Sequence, residues 1–238
     1  MKAYFLHPDS IRELFNSVAP RYDLLNHLLS LRRDVYWRTR AVRELNGIEG
    51  WILDIATGTG DGAIEIIRQG KGKRRVLGLD FSEPMLRKAC EKLLKKRLLS
   101  AIDVSLGDAL SLPFQDNTFN ASVIAFGLRN ILKKEQALSE MVRVTKKGGK
   151  VIILEFTFPE RGPMRRLYPS YFMKILPWVG GLISGDKGAY AYLPQSVFHF
   201  QSPEKYRELM KGAGLDNITS TGLTFGIASI ITGIKKDP

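Results

Sequence analysis

Short apolar runs alternate with longer amphipathic stretches through the first two-thirds of the chain. Runs at 51–56, 75–80, 102–106, 120–126 and 150–156 read as strands, because they are short and rich in Val, Ile and Leu, the first of them as a buried one. Between them, apolar residues at helical spacing predict helices near 61–69, 83–97 and 134–144. Ser82 is placed to cap the second, with Glu83 and Pro84 in its first turn, and Lys147-Gly148-Gly149 is expected to close the third. Strand and helix in regular alternation predict an α/β fold with a doubly wound, mostly parallel sheet.

The pattern changes after residue 200. A helix at about 203–213 ends at Gly214, and two alternating segments, 216–222 and 226–235, follow with only a short gap. That gap suits an antiparallel hairpin, which brings the sheet to seven strands. Two further pieces flank the sheet: an N-terminal helical segment within 1–45 and a long insert at 157–202, both expected to form a helical lid over the carboxyl ends of the strands. The chain thus reads as a single domain over 1–238, with 46–156 as its cofactor-binding half and 203–238 as the closing helix and hairpin.

The first strand runs into Leu53-Asp-Ile-Ala-Thr-Gly-Thr-Gly60. Gly58 and Gly60 let the backbone turn sharply and approach a ligand, and Asp61 follows where an acid favours a helix start. Gly58, Gly60 and Ala63 satisfy a dinucleotide fingerprint, with Asp80 ending the next strand at about the expected interval of 20 residues. The turn alone leaves two cofactors open, a dinucleotide and S-adenosylmethionine. The closing hairpin favours the second, since dehydrogenase domains more often continue with parallel units. In an open α/β sheet the ligand lies beyond the carboxyl ends of the strands, so Asp54, Thr59, Asp80, Asp108, Ala109 and Ala125 should line one site with the two glycines. Asp80 suits two ribose hydroxyls, and Asp108 an exocyclic adenine amine.

Composition narrows the classes. The net charge of +12 suits an anionic partner, yet Lys71–Arg75, Lys92–Arg97 and Lys146-Lys147 fall in loops and helix ends, where they read as solvated surface. No basic stripe interleaved with aromatics suggests a nucleic-acid partner. No apolar stretch reaches the length of a transmembrane helix, the N-terminus does not resemble a signal peptide, and the only cysteine, Cys90, reads as a small buried hydrophobe. A cytoplasmic location is expected. His7, His27 and His199 are scattered, and no metal site is expected.

Asp54 to Asp61, Gly78-Leu-Asp80, Leu112-Pro-Phe114 through Phe119, Phe126-Gly-Leu-Arg-Asn130, Glu140-Met-Val-Arg143 with Gly148-Gly149, and Leu154-Glu-Phe156 resemble the C-methyltransferases of ubiquinone and menaquinone biosynthesis. The likeness extends to Phe15-Asn-Ser-Val-Ala19, Tyr22-Asp23 and Asn26 near one end, and to Tyr190-Ala-Tyr-Leu193, Ser196 and Thr221-Gly222 near the other. The resemblance implies a class I methyltransferase fold and methyl transfer from S-adenosylmethionine, leaving S-adenosylhomocysteine, to a ring carbon of a polyprenylated hydroquinone such as demethylmenaquinol. It also implies cofactor contacts at Thr59, Asp80, Asp108 and Ala109, with Ala125 beside the adenosyl group. This chain departs from the family pattern where Gly-x-His-Arg-x-Trp becomes Arg32-Arg-Asp-Val-Tyr-Trp37, and where Ala56 replaces the first glycine of the turn, a change expected to cost little.

Ring methylation needs an electron-rich carbon, so the neighbouring hydroxyl, which ordinarily titrates near 10, must give up its proton. Arg129 is the candidate to favour that oxyanion, with Asn130 orienting it or the ring, and Tyr22 or Asp23 relaying the proton. The apolar, aromatic segment 164–183, edged by arginines, is expected to bind the isoprenoid tail or the inner membrane face, and an exposed apolar lid would also serve a homodimer. Three readings compete: a methyltransferase for a sterol or benzoquinol, a dinucleotide-dependent reductase without its usual second domain, and a basic nucleic-acid-binding module.

Overall fold

The computed structural model describes residues 8–157 and 202–236. Strands β1 (Gly50–Ile55), β2 (Arg74–Asp80), β3 (Ile102–Leu106), β4 (Phe119–Ala125), β5 (Thr145–Phe156), β6 (Leu215–Leu223) and β7 (Ala228–Lys235) form one sheet in the order β3-β2-β1-β4-β5-β7-β6. The first five are parallel, and β7 enters antiparallel between β5 and β6. The order reverses between β1 and β4, which opens a crevice beyond the ends of those strands.

Helices α1 (Pro8–Val18), α2 (Tyr22–Leu29) and α3 (Arg33–Val42) make up the N-terminal segment. A 3-10 turn at Ala19–Arg21, carrying Pro20, separates the first two. Leu31 and Arg32, both with positive φ, separate the next two. Helices α4 (Asp61–Gly70), α5 (Glu83–Lys95), α6 (Lys134–Val144) and α7 (Pro203–Gly212) cover the sheet. Strand alternation divides the core between two faces: Ile52, Val123, Ile152 and Leu154 pack with α3 and α4, while Leu53, Ile124, Val151 and Ile153 pack with α6 and α7.

Two local expectations are corrected. Gly148-Gly149 does not close α6; the helix stops at Val144, where the backbone N–H and the hydroxyl of Thr145 both donate to the Met141 carbonyl and the chain turns extended. The glycines instead bend the long β5: a Cβ at Gly149 would meet the Lys146 and Asn120 carbonyls at 2.7 and 2.8 Å. Cys90 is exposed rather than buried, because Met85, Leu86, Ala89 and Leu93 form the inward face of α5 and residue 90 falls outside it. Segment 164–183, Tyr190–Leu193, Ser196, His7 and His199 lie outside the described residues.

Candidate active site

A cavity of about 390 Å³ opens at the carboxyl ends of β1, β2, β3 and β4. Ala56 and Gly58 line it from the first strand's turn, Asp80 and Phe81 from the second, Gly107 to Leu110 from the third, and Ala125 to Gly127 with Asn130 from the fourth. Helices α1 and α2 close it with Ile11, Arg12, Phe15 and Tyr22. Most of its wall is therefore apolar, with a few carboxylates and amides to orient a ligand.

Asp80 is almost fully buried at the end of β2. Its two oxygens accept from the Gly58 N–H at 2.8 Å and the Ser82 N–H at 2.9 Å. Burial pushes its pKa up, and these amide bonds oppose the rise. They also aim the carboxylate into the cavity and hold the glycine turn beside it. Ser82 caps α5 as expected, and its hydroxyl donates to Asn16 of α1 at 2.7 Å, which gives the Phe15-Asn16 sequence a structural task.

Other residues of the turn are buried or turned aside. Asp54 lies beneath the turn and is not on the cavity wall. It accepts the Thr57 hydroxyl at 2.6 Å, and burial pushes its pKa up to about 6. Gly60 (φ +83) precedes α4, and Gly58 has φ +58. Ala56 also has a positive φ, +53, so the small cost expected from the size of its methyl group is joined by backbone strain, about 1 kcal/mol for an L side chain in that region. Its Cβ also takes up room that Gly127 must leave empty.

Thr59 points away from the cavity into a charged cluster. Its hydroxyl donates to Asp23, and Lys92 bridges Asp23 and Asp61 at 2.6 Å each. Asp23 thus ties α2 to the glycine turn, while Tyr22, the residue before it, faces the cavity. Lys92, read from the sequence as solvated surface, is the hub of this contact. Nothing in its spacing distinguished it from the neighbouring lysines.

The departure at residues 32–37 has a structural counterpart. Arg32 occupies the family's glycine position with φ +61, a backbone setting that glycine adopts freely. Asp34, at the histidine position, is buried and accepts from Ser30 (2.7 Å) and Arg38 (2.6 Å), with His27 at 2.9 Å. Burial raises its pKa, but Arg38 and Ser30 bring it below the ordinary value. Arg38 in turn lies 5.5 Å from the centre of the Phe126 ring on the cavity wall.

Arg129 follows β4 in a 3-10 turn, and its guanidinium pairs with Glu155 at 2.7 Å and donates to the Phe126 carbonyl. Its backbone N–H donates to the other Glu155 oxygen, and its guanidinium sits 5.2 Å from the Phe156 ring centre. Asn130, not Arg129, lines the cavity from this turn. The 126–130 and 154–156 motifs therefore meet across the sheet edge. Glu140 and Arg143 form a similar pair of motifs with 112–114: Glu140 accepts the Leu112 N–H, and Arg143 donates to the Leu112 and Phe114 carbonyls. Asp108 accepts from the Leu110 N–H at 2.9 Å while still lining the cavity with Ala109. Sequence reasoning missed Ile11, Met85, Leu110 and Ile131 on that wall, because apolar residues in helices and loops carry no chemical signature, and Arg12, because nothing in its spacing sets it apart from the other arginines.

Among the described residues, no group of three or more His, Cys, Asp or Glu could hold a metal ion, and no helix is long and apolar enough to cross a membrane.

The model of the ubiE/COQ5 methyltransferase family matches residues 5–235. The chain is 44% identical over 228 residues to the ubiquinone/menaquinone biosynthesis C-methyltransferase UbiE of Geobacter sulfurreducens, covering 95% of this chain and 89% of that one. It is 46% identical over 225 residues to the demethylmenaquinone methyltransferase of Thermus thermophilus, covering 92% and 99%. Among solved structures, a SAM-dependent methyltransferase from Thermotoga maritima has the same fold, with a TM-score of 0.67 and 22% identity over 94% of this chain and 99% of that one.

Proposed function

Because the chain belongs to the ubiE/COQ5 methyltransferase family, we propose that it transfers a methyl group from S-adenosylmethionine to a ring carbon of a polyprenylated quinol, converting demethylmenaquinol to menaquinol. The observation that supports this reading is the buried carboxylate of Asp80, held by the Gly58 and Ser82 amides against a cavity with apolar walls.

The residues fit the cofactor. The Asp80 carboxylate suits the ribose hydroxyls, Asp108 and Ala109 line the same cavity as the apolar Phe81, Met85 and Leu110, and Gly58 offers backbone without a side chain. When bound, the cofactor supplies an electrophilic sulfonium methyl. The protein's part is to hold the acceptor in line, keep water out and favour the ionised hydroxyl. Tyr22 and Asn130 face the cavity and are our candidates to touch the acceptor, with Tyr22 relaying its proton. Arg129, its charge met by the buried Glu155, holds the loop that presents Asn130 beside the Phe126–Phe156 aromatic wall. Asp23 serves the reaction by anchoring α2 through Thr59 and Lys92. This chemistry needs no metal ion, and activity is expected to persist in a chelator.

A long isoprenoid tail is met at a membrane surface, so we place the enzyme in the cytoplasm with peripheral contact at the inner face. The deciding experiment is a methyl-transfer assay with demethylmenaquinol and a demethoxy-type benzoquinol side by side, locating the new methyl carbon by mass spectrometry. Methylation of neither acceptor would overturn the quinol reading. Methylation of the benzoquinol alone would move the enzyme to the ubiquinone branch.

A further inference from the structure

The strongest unexplained surface lies on the hairpin formed by α2, the turn after it, and α3. Among the described residues, ten large hydrophobic side chains are exposed, and five of them, Leu24, Leu28, Leu31, Val35 and Tyr36, fall within this one stretch. Leu24 and Leu28 stand one helical turn apart on α2, and Leu31 and Val35 are likewise four residues apart across the tip. Leu31 is 77% exposed at the tip, in a positive-φ turn. A soluble surface scatters such residues singly; a cluster marks a place meant to be covered.

The charge around the cluster identifies what covers it. Residues 21–43 carry six arginines and only two aspartates. Both aspartates are committed inward, Asp23 to Lys92 and Asp34 to Arg38. Arg32 and Arg33, exposed beside Leu31, have no acidic partner among the described residues. Leucines and a tyrosine edged by unpaired guanidinium groups match the boundary between headgroups and acyl chains of an anionic bilayer. A second copy of the chain would have to bring the same arginines against themselves at a two-fold interface.

We propose that the α2–α3 hairpin is the membrane-docking element, inserting Leu24, Leu28 and Leu31 among the lipids while Arg32 and Arg33 contact anionic headgroups. This rests on the quinol reading and deepens it. Tyr22, on the same short helix, lines the cavity, so docking by this edge brings the acceptor side of the site to the lipid from which a tailed quinol comes. Trp37 of α3 donates to the Thr224 hydroxyl at 2.8 Å, and the residue after Thr224, Phe225, is itself 81% exposed.

The test uses the full chain with vesicles of phosphatidylcholine alone or mixed with phosphatidylglycerol. Sedimentation with the mixed vesicles is expected at low salt, and its weakening at high salt, where headgroup attraction is screened. Leu28→Ser/Leu31→Glu and Arg32→Glu/Arg33→Glu should each lower vesicle binding at least tenfold. Cofactor binding and methylation of a short-tailed, water-soluble quinol should be unchanged, while turnover of a long-tailed quinol in vesicles falls. Native chain that ignores the mixed vesicles, or variants that bind them undiminished, overturns the proposal. So does loss of a dimer in the variants by light scattering, which would assign the surface to a second copy. Failure of the native chain to methylate the soluble quinol, with vesicle binding intact, would instead refute the quinol reading alone.

Discussion

A Cβ built on Gly127 would lie 2.6 Å from the Cβ of Ala56, so the two residues share room for a single methyl group at the cavity wall. Ala56 takes it, despite a φ of +53 that glycine would occupy more easily. Gly127 is bare in consequence.

Substituting this pair should show strong coupling. Gly127→Ala overpacks the wall and is expected to destabilise the fold by about 1–3 kcal/mol. Ala56→Gly relieves the backbone by about 1 kcal/mol, with a net gain of at most about 0.6 kcal/mol after the extra freedom of the unfolded chain is counted. The double variant should recover much of the Gly127→Ala loss, though not all, since Ile124 lies 3.1 Å from the added Cβ. Urea denaturation of all four proteins measures this; additive energies would mean that no space is shared.

Removing Arg129 leaves the fully buried Glu155 carboxylate without its cation. Arg129→Ala should therefore cost about 3–5 kcal/mol in stability. Turnover should fall roughly 100-fold, the order of loss when a group in the site is misplaced by about 1 Å, because the loop that presents Asn130 loses its anchor, while the calorimetric affinity for S-adenosylmethionine stays nearly constant. Adding Glu155→Gln should restore stability. If turnover returns with it, Arg129 is an anchor and nothing more.

Stability should also depend on Asp54. Its pKa, about 6 in the fold, lies above the ordinary 3.8, so the folded chain binds this proton more tightly than the unfolded one. The resulting stabilisation is complete below about pH 4 and is lost as the pH rises through about 6, a change of about 3 kcal/mol. Asp54→Asn, neutral throughout, should lose less melting temperature between pH 5 and pH 7.5 than the native chain. Asp80, raised in the same direction by burial, keeps some slope in the variant. Identical slopes in both proteins would show that Asp54 does not titrate in this range.

Asp80→Asn tests the cofactor cradle. It removes the charge that the Gly58 and Ser82 amides face and weakens acceptance from a ribose, so affinity for S-adenosylmethionine should drop by about 10- to 100-fold, equivalent to roughly 1.4–2.8 kcal/mol. Isothermal calorimetry on protein shown to be folded by its melting curve provides the measurement. Unchanged affinity would remove Asp80 from the site.

The parallel sheet was legible because its central strands, buried on both faces, are largely apolar while the edge strand β3 alternates as Ile-Asp-Val-Ser-Leu, and the runs from 51 to 156 mark the strands to within about two residues at most ends. At β5 the pattern failed. Lys146, Lys147, Gly148 and Gly149 look like a loop, yet they fall within β5 as the irregular stretch between the Phe119–Thr145 and Ala121–Lys150 pairings, because Thr145 stops α6 with its own hydroxyl, a contact that hydrophobic pattern does not encode. The carboxylates and glycines of the site were visible because their chemistry is rare at strand ends. The directions of Arg129 and Lys92 were not, since a cation's partner is chosen by tertiary packing: Glu155 lies 26 residues from one, and Asp23 lies 69 from the other.

The hydrogen bond from Thr59 to Asp23 joins the donor's turn to the helix that carries Tyr22 on the acceptor's side. Whatever free energy one ligand gains by firming that contact, the other must gain equally, because linkage between two sites is reciprocal. The two ligands are then coupled to the extent that each firms the Thr59–Asp23 bond, and one that loosens it weakens the other's hold by the same factor, through a single threonine hydroxyl.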